Sequence, residues 1–430
     1  MAVRSFLREC EQRAFELEVE HRGGTTYQLW NQVNAEYVPN PLVKINSMQA
    51  TASSRKWSNV VERIRRELKT YKNLFDELIS DENIILAIKN ATKKKKKKRP
   101  KAREMRENPE KYVQAVRDYV VNFKHFEHTP HEIYDGISRK KRTIVIPSLM
   151  ECVLHHAIVN VLKPMFTCGM YEHSCGSVPK RGGMHARKYI AKWIKRGGKN
   201  IKYFAKLDIK GFYKHIDQDK LIEKLEKKIH DHRFMRIIVE VIRSVPEGLP
   251  LGFYTSVWLG NWYLSELDHT IKEEYGIVYY VRNVDDMALF GANKKKLHKA
   301  VKGIAEELVK LGLELKHDWQ VSRFIYYEDE HCKKGRALDY IGYKFYRNRV
   351  QLRKSILLKM RRKAVRIWYK ERITAYDAKQ MMSALGWIKS ADIYGYYERH
   401  IKSFVNFGKL KKIVSEYDRK AARNDGLCIS

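Results

Sequence analysis

Three carboxylates in two separated stretches are the residues best equipped for chemistry in this 430-residue chain. Asp208 closes the apolar-rich run Tyr203-Phe-Ala-Lys-Leu-Asp208, and Gly211 turns the backbone away behind it. Asp285 and Asp286 lie 77 and 78 residues further on, inside Val278-Tyr-Tyr-Val-Arg-Asn-Val-Asp285-Asp286-Met-Ala-Leu-Phe290. A carboxylate at the end of a strand, facing an open cleft, can hold a hard cation. Neighbouring aspartates repel each other, and their place between apolar strands makes sense where a cation relieves that repulsion. Either stretch alone is ordinary, since many strands end in Asp and Asp-Asp is common in turns. Both together in a strongly basic chain point to a divalent-metal site.

The elements that must position these groups follow from patterning. The first run predicts a strand ending at Asp208, a turn at Gly211 and a helix near Gln218. The second predicts a hairpin with the paired aspartates in its turn. A third stretch, Glu247-Gly-Leu-Pro-Leu251-Gly252-Phe-Tyr-Thr-Ser256-Val-Trp-Leu-Gly-Asn261, is a Gly/Pro-rich turn feeding a helix that continues through Trp262, Leu264 and Leu267. Gly252 would let a base pair approach the backbone closely, and the helix start offers N–H groups.

Residues 140 to 345 mix short apolar strands with helical stretches, an α+β pattern. Residues 351 to 430 turn helical, with 19 Lys+Arg against 7 Asp+Glu. Aromatics are interleaved there (Trp368, Tyr369, Trp387, Tyr394, Tyr396 and Tyr397), and most are expected to build a small helical core, leaving a basic face for a duplex backbone. In the first 70 residues, Ser5 to Glu20 reads as a helix and Gly23-Gly24 breaks it. Helical periodicity resumes near Ser54 and runs through Val60-Val-Glu-Arg to Leu78. This block holds no chemistry and reads as a helical docking or RNA-contacting extension.

Composition narrows the partner. Lys+Arg number 85 and Asp+Glu 50, a net charge of +35. A compact protein bears such self-repulsion best when a polyanion neutralises it, so nucleic acid is the first partner to expect and an anionic membrane surface the second. The run Lys93 to Lys98, continued by Arg99, Lys101 and Arg103, predicts a basic loop that attracts phosphates in a salt-sensitive way. At 44% hydrophobic and 31% charged residues the chain is globular rather than disordered. Six scattered cysteines without a Cys-x-x-Cys pair argue against a zinc module or a disulfide framework. His185 and the pair His155-His156 have no metal-ligand spacing and read as helix-face or core residues. No run reaches the ~18 apolar residues of a spanning helix, and the start is too charged for a secretory signal, so a soluble, cytoplasmic protein without membrane partners is expected.

In order and spacing the three stretches resemble the palm motifs of reverse transcriptases. Leu207-Asp208-Ile-Lys-Gly-Phe-Tyr213 resembles the first catalytic motif, Gly248-Leu-Pro-Leu251-Gly252-Phe-Tyr-Thr-Ser256 the template and nucleotide motif, and Tyr280-Val-Arg-Asn-Val-Asp285-Asp286 the Asp-Asp hairpin. Lys141-Arg142-Thr-Ile-Val-Ile-Pro147 and Ser174 to His185 are similar to fingers motifs, Leu311 to Lys316 to the lysine-bearing motif, and Leu338 to Tyr343 to the primer grip. Leu385-Gly-Trp-Ile-Lys389 is similar to a bacterial thumb, so the resemblance runs over about residues 72 to 420. Asn283 stands where the family usually has Tyr or Phe, and Leu251 where retroviral and group II intron enzymes usually have Gln. The aliphatic residue is similar to diversity-generating retroelement enzymes and some defence-associated ones, while Val257 departs from the retroelement preference for Gln.

The resemblance implies a right-hand polymerase: an N-terminal extension (1–70), fingers (71–200, including the basic loop 93–103), a palm (201–347) with an antiparallel sheet, and a basic helical thumb (348–430). It implies RNA-templated DNA synthesis, with two Mg²⁺ ions (or Mn²⁺ as substitute) on Asp208, Asp285 and the Ile209 carbonyl, and Asp286 in support. It assigns the triphosphate to Lys141, Arg142 and Arg181, the nascent pair to Leu251 and Gly252, and the choice of deoxyribose to Tyr213. Lys316 becomes the donor that protonates the leaving pyrophosphate. Partners would be an RNA template, a primer, dNTPs and a dedicated structured RNA, with an accessory protein or a homo-oligomer left open. A retroelement role, diversity generation first, stands beside antiphage defence and a non-catalytic RNA-binding role. No HNH-type cysteine pairs follow the thumb, so a complete intron-mobility protein is not expected, and a thumb ending near residue 420 is not expected to leave room for an RNase H.

Overall fold

Strict alternation along three strands places one sheet between two cores. The strands are β3 (Tyr203–Asp208), β4 (Tyr279–Asn283) and β5 (Asp286–Gly291). Ala205, Leu207, Met287, Leu289 and Tyr280 belong to one hydrophobic cluster, whereas Phe204, Ala288, Phe290 and Val281 belong to a second. Side chains on a strand point alternately to opposite faces, so each strand feeds both clusters. Burying a side chain such as Phe290 in this way contributes about 1.5–3 kcal/mol. With β6 (Gln320–Arg323) the sheet has the order β4-β5-β3-β6, and its pairs are antiparallel.

A computed structural model describes residues 69–93, 100–124, 128–134, 141–176, 178–327 and 333–426, with side chains described through Arg419. The expected N-terminal extension, apart from its last two residues, and the lysine run from Lys94 to Arg99 lie outside them.

The first cluster packs helices α1 (Leu74–Leu78), α2 (Asp81–Thr92), α3 (Pro100–Glu107) and α4 (Val113–Val121) with the long α5 (Leu149–Thr167). Ser148 starts α5 through a capping box: its hydroxyl accepts the Glu151 N–H while the Glu151 carboxylate accepts the Ser148 N–H. Between α4 and α5 a two-stranded ribbon, β1 (Pro130–Tyr134) and β2 (Lys141–Val145), stands mostly exposed. The helix expected to run through to Leu78 is broken before α1. The Tyr71 N–H donates to the Lys228 carbonyl and the His230 N–H to the Tyr71 carbonyl (2.8 and 2.9 Å), while Asn73 takes a left-handed φ of 57°. Bridging to a distant segment there wins over local helix propensity.

The second cluster lies on the other face. It holds α6 (Gly183–Gly197), a small sheet of β7 (Leu338–Tyr340), β8 (Tyr343–Phe345) and β9 (Val350–Leu352) in the order β9-β8-β7, and the C-terminal helices from Lys354 onward. The aromatics of this tail divide evenly. Trp387, Tyr396 and Tyr397 pack on the cluster, but Trp368, Tyr369 and Tyr394 are 60%, 79% and 74% exposed, correcting the expectation that most build the core. Trp368 and Tyr369 sit at the C-terminal end of the first tail helix, where its apolar stripe has run out. Among the described residues no helix is long and apolar enough to cross a membrane.

Candidate active site

Register alone brings the carboxylates together. Asp208 pairs across the sheet with Asp286, and Asn283 pairs with Asp286 across the hairpin, leaving Val284 and Asp285 as a two-residue turn. Beyond β3 the chain keeps its partners: the Ile209 N–H donates to the Asp285 carbonyl (3.3 Å) and the Lys316 N–H to the Asp208 carbonyl (2.9 Å). The segment ending at Lys316 therefore lies alongside the exit of β3, and the Lys316 ammonium rests against Oδ1 of Asp208.

The electrostatics are those of a crowded anionic site. Burial, then the charge of Asp208, raises the Asp285 carboxyl above its usual range, against the opposing pull of Lys316 and Arg142. Burial and the charges of Asp208 and Asp285 push Asp286 up to about 7, with Lys206 opposing. Lys316 feels the converse: burial pulls it down, but its bond to Asp208 and the three carboxylates outweigh this and raise it. Among the described residues no three His, Cys, Asp or Glu side chains form a closed metal cage. The donor set nevertheless fits Mg²⁺, which takes one or two carboxylates, keeps several waters and completes its shell on substrate phosphates.

A family model described as reverse transcriptase (RNA-dependent DNA polymerase) matches residues 132–345. The chain carries a reverse transcriptase domain. Protein YkfC of Escherichia coli K12 is 24% identical over 176 residues, 38% of this chain and 46% of that protein. The group II intron-encoded protein LtrA of Lactococcus lactis is 26% identical over 184 residues, 40% of this chain and 29% of LtrA. This chain thus aligns with less than half the length of either. Among solved structures, telomerase from Candida albicans with a fragment of telomeric RNA aligns at 12% identity and a TM-score of 0.40, covering 72% of this chain and 61% of that one.

Within the reverse transcriptase domain the remaining expected residues separate. Tyr213 follows Gly211 (φ +52°) in the short helix α7 (Phe212–His215), with its ring beside that of Phe212. Burial and the charge of Asp285 push its hydroxyl up to about 12, so the ring lies within the field of the site. Gly260, in the helix α10 (Tyr254–Tyr263), receives it: a Cβ there would lie 3.2 Å from both the Phe212 and Tyr213 rings. Arg142, on β2, is near enough for its charge to act on Asp285. Lys141 instead pairs across the ribbon with Glu132 at 2.7 Å. Arg181 donates to the Tyr171 carbonyl (3.0 Å), in the loop that precedes α6.

Leu251 and Gly252 join the ribbon to the site: the Val145 N–H donates to the Leu251 carbonyl at 2.7 Å. Gly252 has a φ of +121°, and a Cβ there would lie 2.0 Å from the Val145 carbonyl oxygen. The close approach expected from a base pair is thus already made by the chain itself.

Sequence reasoning missed the support behind the hairpin. Arg282 is fully buried, and its guanidinium grips Asp268 of the helix α11 (Ser265–Glu273) through two bonds of 2.7 and 2.6 Å. Tyr340, also buried, donates to the Asp286 carbonyl at 2.8 Å. The turn residue Val284 holds φ +62°, a left-handed conformation that costs a β-branched residue about 1–3 kcal/mol. One pattern pointed to Arg282: it alternates with Tyr280, so a charge shares a face with a core aromatic and must find a buried partner.

Proposed function

We propose that this chain copies RNA into DNA by two-metal nucleotidyl transfer. The observation that carries the reading is the convergence of Asp208, Asp285 and Asp286 at one end of the β3–β5 pair with Lys316 against them. In the reaction the primer 3′-oxygen bonds to the α-phosphorus, the bond to the β-phosphate oxygen breaks, pyrophosphate leaves and the hydroxyl proton passes to solvent. Asp208, Asp285 and the Ile209 carbonyl would hold the two Mg²⁺ ions, with Mn²⁺ as a substitute and Asp286 in support. When bound, they supply a lower pKa at the 3′-hydroxyl and neutralise charge on the leaving oxygens.

The chain's own groups do the rest. Lys316 is a cation within reach of a leaving pyrophosphate. Arg142 offers a guanidinium fork to the triphosphate, and Lys141 and Arg181 are the further cations assigned to it. Leu251 and Gly252 border the nascent pair, and the ring of Tyr213 blocks a 2′-hydroxyl. In this reading residues 71–200 act as fingers, 201–347 as palm and 348–430 as a basic thumb over the RNA–DNA duplex.

Substrates are an RNA template, a DNA or RNA primer and dNTPs. A bacterial or phage retroelement, diversity generation first, is the setting that Leu251 favours; defence with a dedicated structured RNA shares every residue named. A non-catalytic RNA-binding role is disfavoured, because carboxylates crowded to raised pKa values cost stability without return. The test is primer extension on poly(rA)–oligo(dT) with Mg²⁺. The unaltered protein incorporates dTTP, and Asp285→Asn with Asp286→Asn abolishes incorporation while RNA affinity stays. Equal incorporation by the double variant would end the reading.

A further inference from the structure

The buried pair Arg282–Asp268 stands directly behind the turn that carries Asp285, and none of the roles above uses it. The side chains of Arg282 and Asp268 are 0% and 1% exposed. All five guanidinium N–H groups are engaged. Nε and Nη2 donate to the two carboxylate oxygens of Asp268 at 2.7 and 2.6 Å. Nη1 and Nη2 also donate to the side-chain and main-chain oxygens of Asn261, both at 3.2 Å. The remaining donor of Nη1 reaches the carbonyl of Val284 at 3.0 Å.

That last bond falls on the strained residue of the turn, the one with φ +62° next to Asp285. A second grip comes from the glycine loop. Gly176 is seated so closely on Val284 that a Cβ there would lie 2.3 Å from its Cγ2. The Gly176 carbonyl is held in turn by Asn261 Nδ2 at 2.6 Å. Asn261 thus ties the arginine and the glycine loop to one point. The backbone of Arg282 joins the same loop, accepting from the Cys175 N–H at 2.7 Å and donating to the His173 carbonyl at 3.1 Å.

We propose that Arg282, anchored by Asp268 and Asn261, is the positioning residue of the active site: its bond to the Val284 carbonyl holds the turn in the left-handed form that aims Asp285 at Asp208. A buried ion pair serving only as architecture needs the two bonds to Asp268. The planar fork delivers those and still reaches the turn, which a lysine ammonium cannot do from the same place. The inference rests on the reading that Asp208 and Asp285 hold the divalent ions.

Arg282→Lys keeps a charge opposite Asp268 and gives up the grip on Val284. Arg282→Met with Asp268→Leu removes the pair while keeping its volume. Three readouts apply to both variants: melting temperature, kcat and KM for dTTP on poly(rA)–oligo(dT), and affinity of the protein alone for Mn²⁺ by electron paramagnetic resonance. Both variants melt close to the unaltered protein and keep its KM, while kcat and Mn²⁺ affinity fall about ten-fold or more, the usual effect of losing a group that orients a metal ligand. Adding Val284→Gly to Arg282→Lys restores part of the lost turnover, because glycine holds a positive φ without restraint. A folded Arg282→Lys protein with unaltered kcat and Mn²⁺ affinity would overturn the inference. Failure of both variants to fold would overturn it too, by making the pair architectural. An unaltered protein that extends no primer would instead count against the proposed function, and Mn²⁺ affinity would still decide the role of Arg282.

Discussion

Two clusters of charge lie back to back at the β4–β5 hairpin, and they are built in opposite ways. Behind it, Arg282, Asp268, Asn261 and Tyr280 form a closed set: the Asp268 carboxylate takes three bonds, and each guanidinium N–H has an acceptor. In front, Asp208, Asp285 and Asp286 crowd together with the Lys316 ammonium against Asp208, and burial and neighbouring aspartates raise the carboxyl pKa values of Asp285 and Asp286. The closed cluster leaves no buried charge unpaired, whereas the open one carries like-charge repulsion that its own residues do not relieve. Keeping them a few residues apart on one strand pair lets the rigid cluster hold the strained one in place, as preorganised electrostatic sites require.

The sharpest way to break this contrast is Asp268→Ala. It leaves a buried guanidinium without its counter-ion and should cost about 3–5 kcal/mol of stability, read from urea unfolding. A cost under about 1 kcal/mol would show that the rear cluster is not closed to water.

A graded effect, modest over any one pH unit, comes from a third buried group. His155 on α5 is 1% exposed and shares a hydrogen bond with Thr255 (3.2 Å). Burial, then the charges of His156 and His128, holds its imidazole down at about 3. Above pH 6.5 both folded and unfolded chains keep it neutral. Between pH 6.5 and 3 the unfolded chain takes a proton that the folded one refuses, so stability is lost as pH falls, by about 1.4 kcal/mol per unit. His155→Gln should flatten that slope in unfolding curves collected across the window. An unchanged slope would mean another group carries it.

Smallest is Asp286→Asn. With Mg²⁺ absent it relieves like-charge crowding and should raise stability by about 1 kcal/mol, the trade-off expected where function keeps a site strained. The gain should vanish when Mg²⁺ is added to both proteins. A loss of stability in its absence would place the strain elsewhere.

The strand ending at Asp208, the hairpin and the helix capped by Asp217 at Gln218 were legible because each rests on local patterning: period-two alternation, a tight turn and a side-chain cap. The helix through Leu267 was legible in kind but divides at Leu264 into α10 and α11. What stayed hidden depends on pairing across distance. Asp268 and Asn261 precede Arg282 by 14 and 21 residues, and no periodicity links them. The left-handed Val284 contradicts its own propensity and is held by tertiary contacts alone. Gly252 is legible as a position without room for a side chain, and what the sequence does not show is that the Val145 carbonyl fills the Cβ side of it.

The alternation by which β3 and β5 feed two opposite cores carries a consequence for how this domain can vary. Deleting or inserting one residue between Phe204 and Asp208, or between Asp286 and Phe290, would turn Phe204 or Phe290 onto the wrong face and move one aspartate out of line with the other. Substitution by similar apolar residues leaves both intact. Lineages of this domain should therefore drift freely in side-chain identity along these strands while their length stays frozen, with gains and losses of residues confined to the connecting loops.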